Sequence, residues 1–188
     1  MTDGAPAELK VLSREVLYSG RVIDLIVDRV EYPSGRAGVR EIAHHPGGAV
    51  TVPLLDDGCV LLVSQLRYPV GTRVTELPAG KLSHGEDPAA AAGRELAEET
   101  GYQAASLEHL ATVLSTPGFS DERLHIYLAR GLAPDPGGAR REEGELNMTV
   151  EKMPFAEAVA RAVRGEFPDA KTIIGLLLAE KKLRGPGR

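Results

Sequence analysis

"GKLSHGEDPAAAAGRELAEETGY", residues 80–102, sets an alanine-rich stretch between two groups of carboxylates and crowds Glu95, Glu98 and Glu99 onto the turns before Gly101. The stretch reads as a helix with both ends signed. Asp87 suits the N-cap, Pro88 the first helical position, and Gly101 the residue just past the last turn. Residues three and four apart on a helix are neighbours, so Glu95 lies beside Glu98 and Glu99, while Ala89, Ala92 and Leu96 form an apolar stripe. Carboxylates at this spacing repel by a few tenths of a kcal/mol, roughly, for each pair. Arg94 can compensate Glu98 and reach back to Glu86, but one guanidinium is a poor match for four carboxylates. A bound hard cation would balance the rest. With only oxygen donors and no His or Cys in the cluster, the expected ion is Mg²⁺ or Mn²⁺, not zinc or copper.

The flanking sequence supplies strands. "KVLSREVLYSGRVIDLIVDRVEYP" and "GVREIAHH", separated by the turn "PSGRAG", predict a small antiparallel meander over residues 1–46. After the break at "HPGG", "AVTVPLL" and "CVLLVSQLRY" read as a second, more apolar hairpin across "DDG", opening a main domain at 47–188. Beyond the acidic helix come strand-like "LEHLATVLSTP" and "RLHIYLARGLA", a Pro, Gly and Glu-rich loop, and two helical stretches, "FAEAVARAVRGE" and "DAKTIIGLLLAEKKL".

Paired glutamates alone would read as a solvated helix face. The full spacing says more: G-x5-E-x7-R-E-U-x-E-E-x-G-U, with U a bulky apolar residue, specifies nine positions across residues 80–102. This resembles the signature of the Nudix hydrolases at every position. The resemblance covers the chain from about residue 47 onward. It implies an α/β fold, an α-β-α sandwich with a mixed sheet, and hydrolysis of a nucleoside diphosphate linked to another moiety, with two or more divalent ions per site. On matching positions it assigns metal binding to Glu95 and Glu99, often with Glu98, and mutual pairing that orients helix and loop to Glu86 and Arg94. Ala79 would offer its backbone carbonyl to the metal.

Three further stretches resemble the ADP-ribose pyrophosphatase branch of that family. They are "QLRYPVGTRVTELPAGKL" before the box, "STPGFSDERLHIYLA" with Pro117 and Gly118, and "REEGELN", whose glutamates occupy the position of a catalytic loop. In that loop Glu143 and Glu145 fall most naturally as base and further metal ligand. Glu142 enters by a one-residue shift, and Leu146 stands where an acid is common. The resemblance also assigns substrate contacts to Arg67 at a strand end, to Glu122 after Pro117, and to Arg40, reaching from the meander of a partner subunit. The substrate expected is ADP-ribose, giving AMP and ribose 5-phosphate, with another nucleoside diphosphate sugar such as GDP-mannose, or FAD, as the alternative. A nucleotide-sensing regulator built on this domain is disfavoured by the intact box.

The totals agree with a metal-dependent handler of phosphates. The chain has 188 residues, 43% hydrophobic, and a formal net charge of −5, which argues against a general nucleic-acid binder. No stretch approaches the eighteen or so apolar residues of a membrane helix, and the amino terminus lacks a signal-peptide pattern, so a cytoplasmic protein is expected. Cys59, the single cysteine, excludes an internal disulfide and reads as a small core residue. His44, His45, His84, His109 and His125 lack metal-ligand spacing and read as structural or solvent-facing. Val22, Ile23, Leu25, Ile26 and Val30 of the meander need a surface to bury against, which predicts a homodimer, with folding of the meander over its own main domain as the alternative.

Overall fold

A computed structural model describes residues 9–141, 143 and 146–185. The strands are β1 (Lys10–Ser19), β2 (Asp24–Glu31), β3 (Ala37–His44), β4 (Gly48–Pro53), β5 (Cys59–Arg67), β6 (Thr72–Glu76), β7 (Ala79–Lys81), β8 (Tyr102–Leu114), β9 (Arg123–Pro134) and β10 (Thr149–Pro154). The helices are α1 (Pro88–Thr100), α2 (Phe155–Val163) and α3 (Ala170–Arg184). The chain divides into two compact units, Met1–Pro46 with Leu114–Arg123, and Gly47–Val113 with Leu124–Arg188.

In the first unit β1, β2 and β3 form an antiparallel sheet in that order. Asp28 of β2 stands in register between Arg14 and Arg40. It is buried, and Arg14 takes it bidentately at 2.8 and 2.7 Å, which holds the carboxyl below its ordinary range. Ile26 and Val30 are buried, whereas Val22, Ile23 and Leu25 are exposed. Every residue of β1 is exposed, Val16, Leu17 and Tyr18 by more than half. The 114–123 segment joins this sheet at the end of β3. Ala43 N–H donates to the Phe119 carbonyl at 2.8 Å, and Ser120 Oγ donates to the Ala43 carbonyl at 2.9 Å.

The second unit has a four-stranded mixed sheet, order β7-β4-β9-β8 with β4 and β9 parallel, and a three-stranded antiparallel sheet, order β10-β5-β6. Strand β4 is buried along its whole length, and its two sets of side chains serve two different layers. Ala49 packs with Ala91 and Ala92 of α1, and Thr51 Oγ1 donates to the Ala92 carbonyl at 3.1 Å. Val50 and Val52 point the other way, into a core with Leu62, Leu77, Ile126, Leu128, Leu176 and Ala179. Helix α1 therefore covers one face and α3 the other, which makes the α-β-α sandwich.

Two readings from the sequence are corrected. β4 and β5 do not form a hairpin: β4 pairs with β7 and β9, and β5 with β10 and β6, leaving one isolated bridge, Leu54 to Val60, between them. The turn itself is tight, with Leu55 N–H on the Cys59 carbonyl and Gly58 N–H on the Leu55 carbonyl. Both strands need neighbours on each side to bury their continuous apolar runs, so they part after the turn and each enters its own sheet. Cys59 is also only partly buried, at the start of β5, and desolvation pushes its thiol pKa up. It is a poor nucleophile.

Candidate active site

The acidic helix is built as its local chemistry demands. Asp87 accepts from Ala90 N–H at 3.3 Å, and Pro88 opens the first turn. Gly101, at φ +74°, ends the helix with its N–H on the Ala97 carbonyl at 2.9 Å, a left-handed geometry that suits only glycine well. Ala91, Ala92, Leu96 and Ala97 are buried, with Ala89 partly buried against the same cluster.

Arg94 binds three of the four carboxylates. Its Nε and Nη2 donate to Glu86 at 2.9 and 3.1 Å, and its Nη1 donates to Glu95 at 2.8 Å and to Glu98 at 2.9 Å. The Arg94 bonds, helped by Ser83 N–H at 2.9 Å, bring the Glu86 pKa down to about 2, so Glu86 stays charged at any working pH. Hydrogen bonding to Glu86, opposed by burial, raises Arg94 well above its already high value. The fourth carboxylate, Glu99, is 1% exposed and accepts Ala79 N–H at 3.0 Å. It lies on the packed side of the helix, against β7, while Glu98 remains partly exposed.

Strand β7 lies at the sheet edge, with Gly80 opposite Ala49 in the β4 register. A Cβ on Gly80 would fall inside the Glu95 carboxylate, against Cδ and both oxygens. The glycine makes a cradle in which the Glu95 carboxylate rests on main chain, close to Ala79 and thus to Glu99. Among the described residues no three His, Cys, Asp or Glu side chains are already gathered as a metal cage. The groups beside the β7 main chain are carboxylates and backbone carbonyls, in kind the donors a hard divalent cation takes. Glu95, Glu98, Glu99 and the Ala79 carbonyl are the residues that would hold it.

Arg67, at the end of β5, is committed to a partner that the sequence reading did not name. Its Nε and Nη2 donate to Glu76 at 2.8 and 2.9 Å, and Lys171 pairs with the same carboxylate. Glu76 is 1% exposed, and Lys171 also reaches Asp169 at 3.0 Å. Burial works against the Arg67 charge, but Glu76 outweighs it, with Glu99 and Asp169 adding, so the pKa rises. Glu76 and Lys171 stand 95 residues apart, and no local pattern links them.

The remaining candidates are carried by other segments. Arg40, Pro117, Gly118 and Glu122 belong to the first unit. Arg40 is exposed, donates to the Val39 carbonyl at 2.9 Å, and lies over the Tyr32 ring at 5.3 Å. Glu122 pairs with His45 at 3.2 Å and Asp121 with His44 at 2.6 Å, so these two histidines anchor the 114–123 segment instead of facing solvent alone. Glu143 is exposed; Glu142 and Glu145 lie outside the described residues.

Known proteins give this arrangement a family. The NUDIX domain family model matches residues 45–173. The chain is 38% identical over 175 residues to the ADP-ribose pyrophosphatase of Bacillus subtilis, covering 93% of this chain and 94% of that protein. It is also 38% identical over 169 residues to the methanol dehydrogenase activator of Bacillus methanolicus, covering 90% and 91%. A crystal structure of an ADP compounds hydrolase superposes with a TM-score of 0.83 at 21% identity, covering 98% of this chain and 99% of the other, a likeness of fold. The family match over most of the sequence, falling on the helix and cradle just described, makes this chain a member of the NUDIX family.

Proposed function

We propose that this enzyme hydrolyses the pyrophosphate bond of ADP-ribose, giving AMP and ribose 5-phosphate, in the cytoplasm. The observation that carries the reading is the placement of Glu95 and Glu99 against the Ala79–Gly80 main chain, with Arg94 tying Glu95 and Glu98 to Glu86. Its support in sequence is the kinship with a pyrophosphatase named for ADP-ribose over nearly the whole chain. Nudix hydrolases generally use divalent metal ions; here Mg²⁺ or Mn²⁺, two or more per site, would be held by Glu95, Glu98, Glu99, Glu145 and the Ala79 carbonyl. When bound, the ions neutralise pyrophosphate charge and polarise the phosphoryl oxygens.

The chain's own residues do the rest. Arg94 and Glu86 keep helix α1 and the 82–87 turn in one orientation. Arg67, aimed by Glu76, offers a fork to a phosphate oxygen pair. Glu143, in the acidic segment, takes the proton of the attacking water, and Glu98 is the first substitute should the segment not serve. Pro117, Gly118 and Glu122 are the further residues assigned to substrate contact. Incubation with ADP-ribose, GDP-mannose, FAD and diadenosine polyphosphates, each with Mg²⁺ and with Mn²⁺, followed by product analysis, tests the assignment. AMP and ribose 5-phosphate as the fastest products support it. Preference for GDP-mannose or FAD would move the substrate within the family, and no turnover of any would remove the catalytic reading.

The same reading makes residues 1–46 a dimerisation and substrate-binding unit. An edge strand exposed at every position, with Val11, Leu12, Val16, Leu17 and Tyr18 on it, is a surface that a second copy of the chain would cover. Light scattering at micromolar concentration is expected to give twice the mass of the chain. Mixing Arg40→Ala with inactive Glu99→Gln should then restore part of the activity, because one site of the mixed dimer keeps both residues. A fully active monomer, or no rescue despite subunit exchange, would overturn the shared site.

A further inference from the structure

The carboxyl end of α1 is wrapped by a segment that never enters the signature. Asp135 N–H donates to the Gly101 carbonyl at 2.8 Å, and Arg140 N–H donates to the Glu98 carbonyl at 2.9 Å. The Arg141 guanidinium then seizes the Glu99 carbonyl with both Nε, at 3.1 Å, and Nη2, at 3.0 Å. Its remaining arm, Nη1, donates to the Met148 carbonyl at 2.6 Å. The main chain on this side is close-packed, since a Cβ on Gly101 would stand 3.1 Å from Ala139 N. Met148 is 3% exposed, so the far anchor is a buried one.

The geometry points to Arg141 as a positioning residue for the reaction. Arg141 and Met148 flank residues 142–147, which carry Glu142, Glu143 and Glu145, and the guanidinium ties both flanks to the backbone of Glu99. A helix terminus needs its last carbonyls satisfied, and a cation there is favoured by the helix dipole. A lysine or a water would meet that need. Only a planar fork can hold two separate carbonyls in fixed directions at once, and the second carbonyl belongs to the chain beyond the acidic segment. Arg141 thereby sets the place where the segment leaves and returns relative to the helix carboxylates. This inference rests on the proposed role of an acid from that segment, and it adds a residue that touches neither metal nor substrate.

The test is a mutant cycle on the full-length enzyme with ADP-ribose and saturating Mg²⁺. Arg141→Ala should lower kcat by about ten- to a hundred-fold, the usual range when a supporting contact is lost. KM should stay within about two-fold, since no substrate contact is touched. Arg141→Lys should recover thermal stability but leave most of the kcat loss, and it takes the place of the alanine variant if that chain does not fold. In a Glu142→Gln, Glu143→Gln, Glu145→Gln background, the Arg141 substitution should cost less than about two-fold more, because the acids it places are gone. An equal further loss in that background, a parallel rise in KM, or full recovery of kcat by lysine would overturn the positioning role while leaving the acidic segment its own. Near-normal kcat in the triple variant alone would remove the segment from the mechanism, and Arg141 with it.

Discussion

Replacing Glu99 by glutamine is expected to lower kcat by about a thousand-fold, ~4 kcal/mol of transition-state stabilisation, with the fold intact. The structure separates the two consequences. Glu99 is fully buried and accepts Ala79 N–H, a bond that a glutamine carbonyl oxygen can take at the same place. What is lost is the charge. Glu99 and Glu95 are one helical turn apart, and in the metal-free chain their repulsion costs a few tenths of a kcal/mol, roughly. The Glu99→Gln protein without metal should therefore melt no lower than the native one. Adding Mg²⁺ should raise the melting temperature of the native protein and do so much less in the variant, because ligand binding stabilises only what it binds. Near-normal turnover at saturating metal, or failure to fold, would sink the assignment of Glu99.

How much of this was legible in residues 80–102 depends on the range of the interactions. The caps of α1, the Glu86–Arg94 pair and the packing of Ala92 and Leu96 all lie within one helix and its entry turn, and local spacing suffices to read them. The antiparallel meander was legible for the same reason, since its three strands are consecutive and joined by short turns. β4 and β5 were misread because "DDG" does make a tight turn, while the pairings of β4 with β7 and β9 and of β5 with β10 join residues 29 to 95 positions apart. The grip of Lys171 on Glu76 is hidden for the same reason, as is the pairing of His44 and His45 with Asp121 and Glu122. Histidines without metal-ligand spacing read as structural or solvent-facing, and for this pair the structural role holds. Nothing in "HHPGG" shows that two acids some 76 residues on will meet them. Even inside the box, helical spacing put Glu95, Glu98 and Glu99 on one charged side, whereas β7 draws Glu99 into the packed layer.

Gly80→Ala is expected to remove activity without unfolding the protein, which sets it apart from most substitutions of a sheet glycine. Gly80 pairs with Ala49 on the edge strand β7, and alanine suits an extended backbone at least as well as glycine. The difficulty is one contact: the new methyl would occupy the volume of the Glu95 carboxylate. Either β7 shifts, straining its pairing with β4, or the Glu95 side chain turns away. The second is cheaper, since an off-rotamer side chain costs about 0.5–1.5 kcal/mol and Glu95 is long enough to leave. That movement breaks the 2.8 Å bond to Arg94 and carries the carboxylate off the β7 main chain, away from Glu99 and Ala79. A misplacement of about an ångström at a reacting centre can cost a hundred-fold, so kcat/KM should fall by at least about that factor. The melting temperature of the metal-free protein should stay within about 3 °C, the shift that ~1 kcal/mol produces in a chain of this size. Apparent Mg²⁺ affinity should weaken in the same variant. The decisive measurement is the double variant: in a Glu95→Ala background the three atoms nearest the added methyl are gone, and Gly80→Ala should then cost far less. Wild-type turnover in Gly80→Ala would show that the Glu95 carboxylate has no work to do where it lies. An equal loss with and without Glu95 would place the damage in the strand, not the ligand.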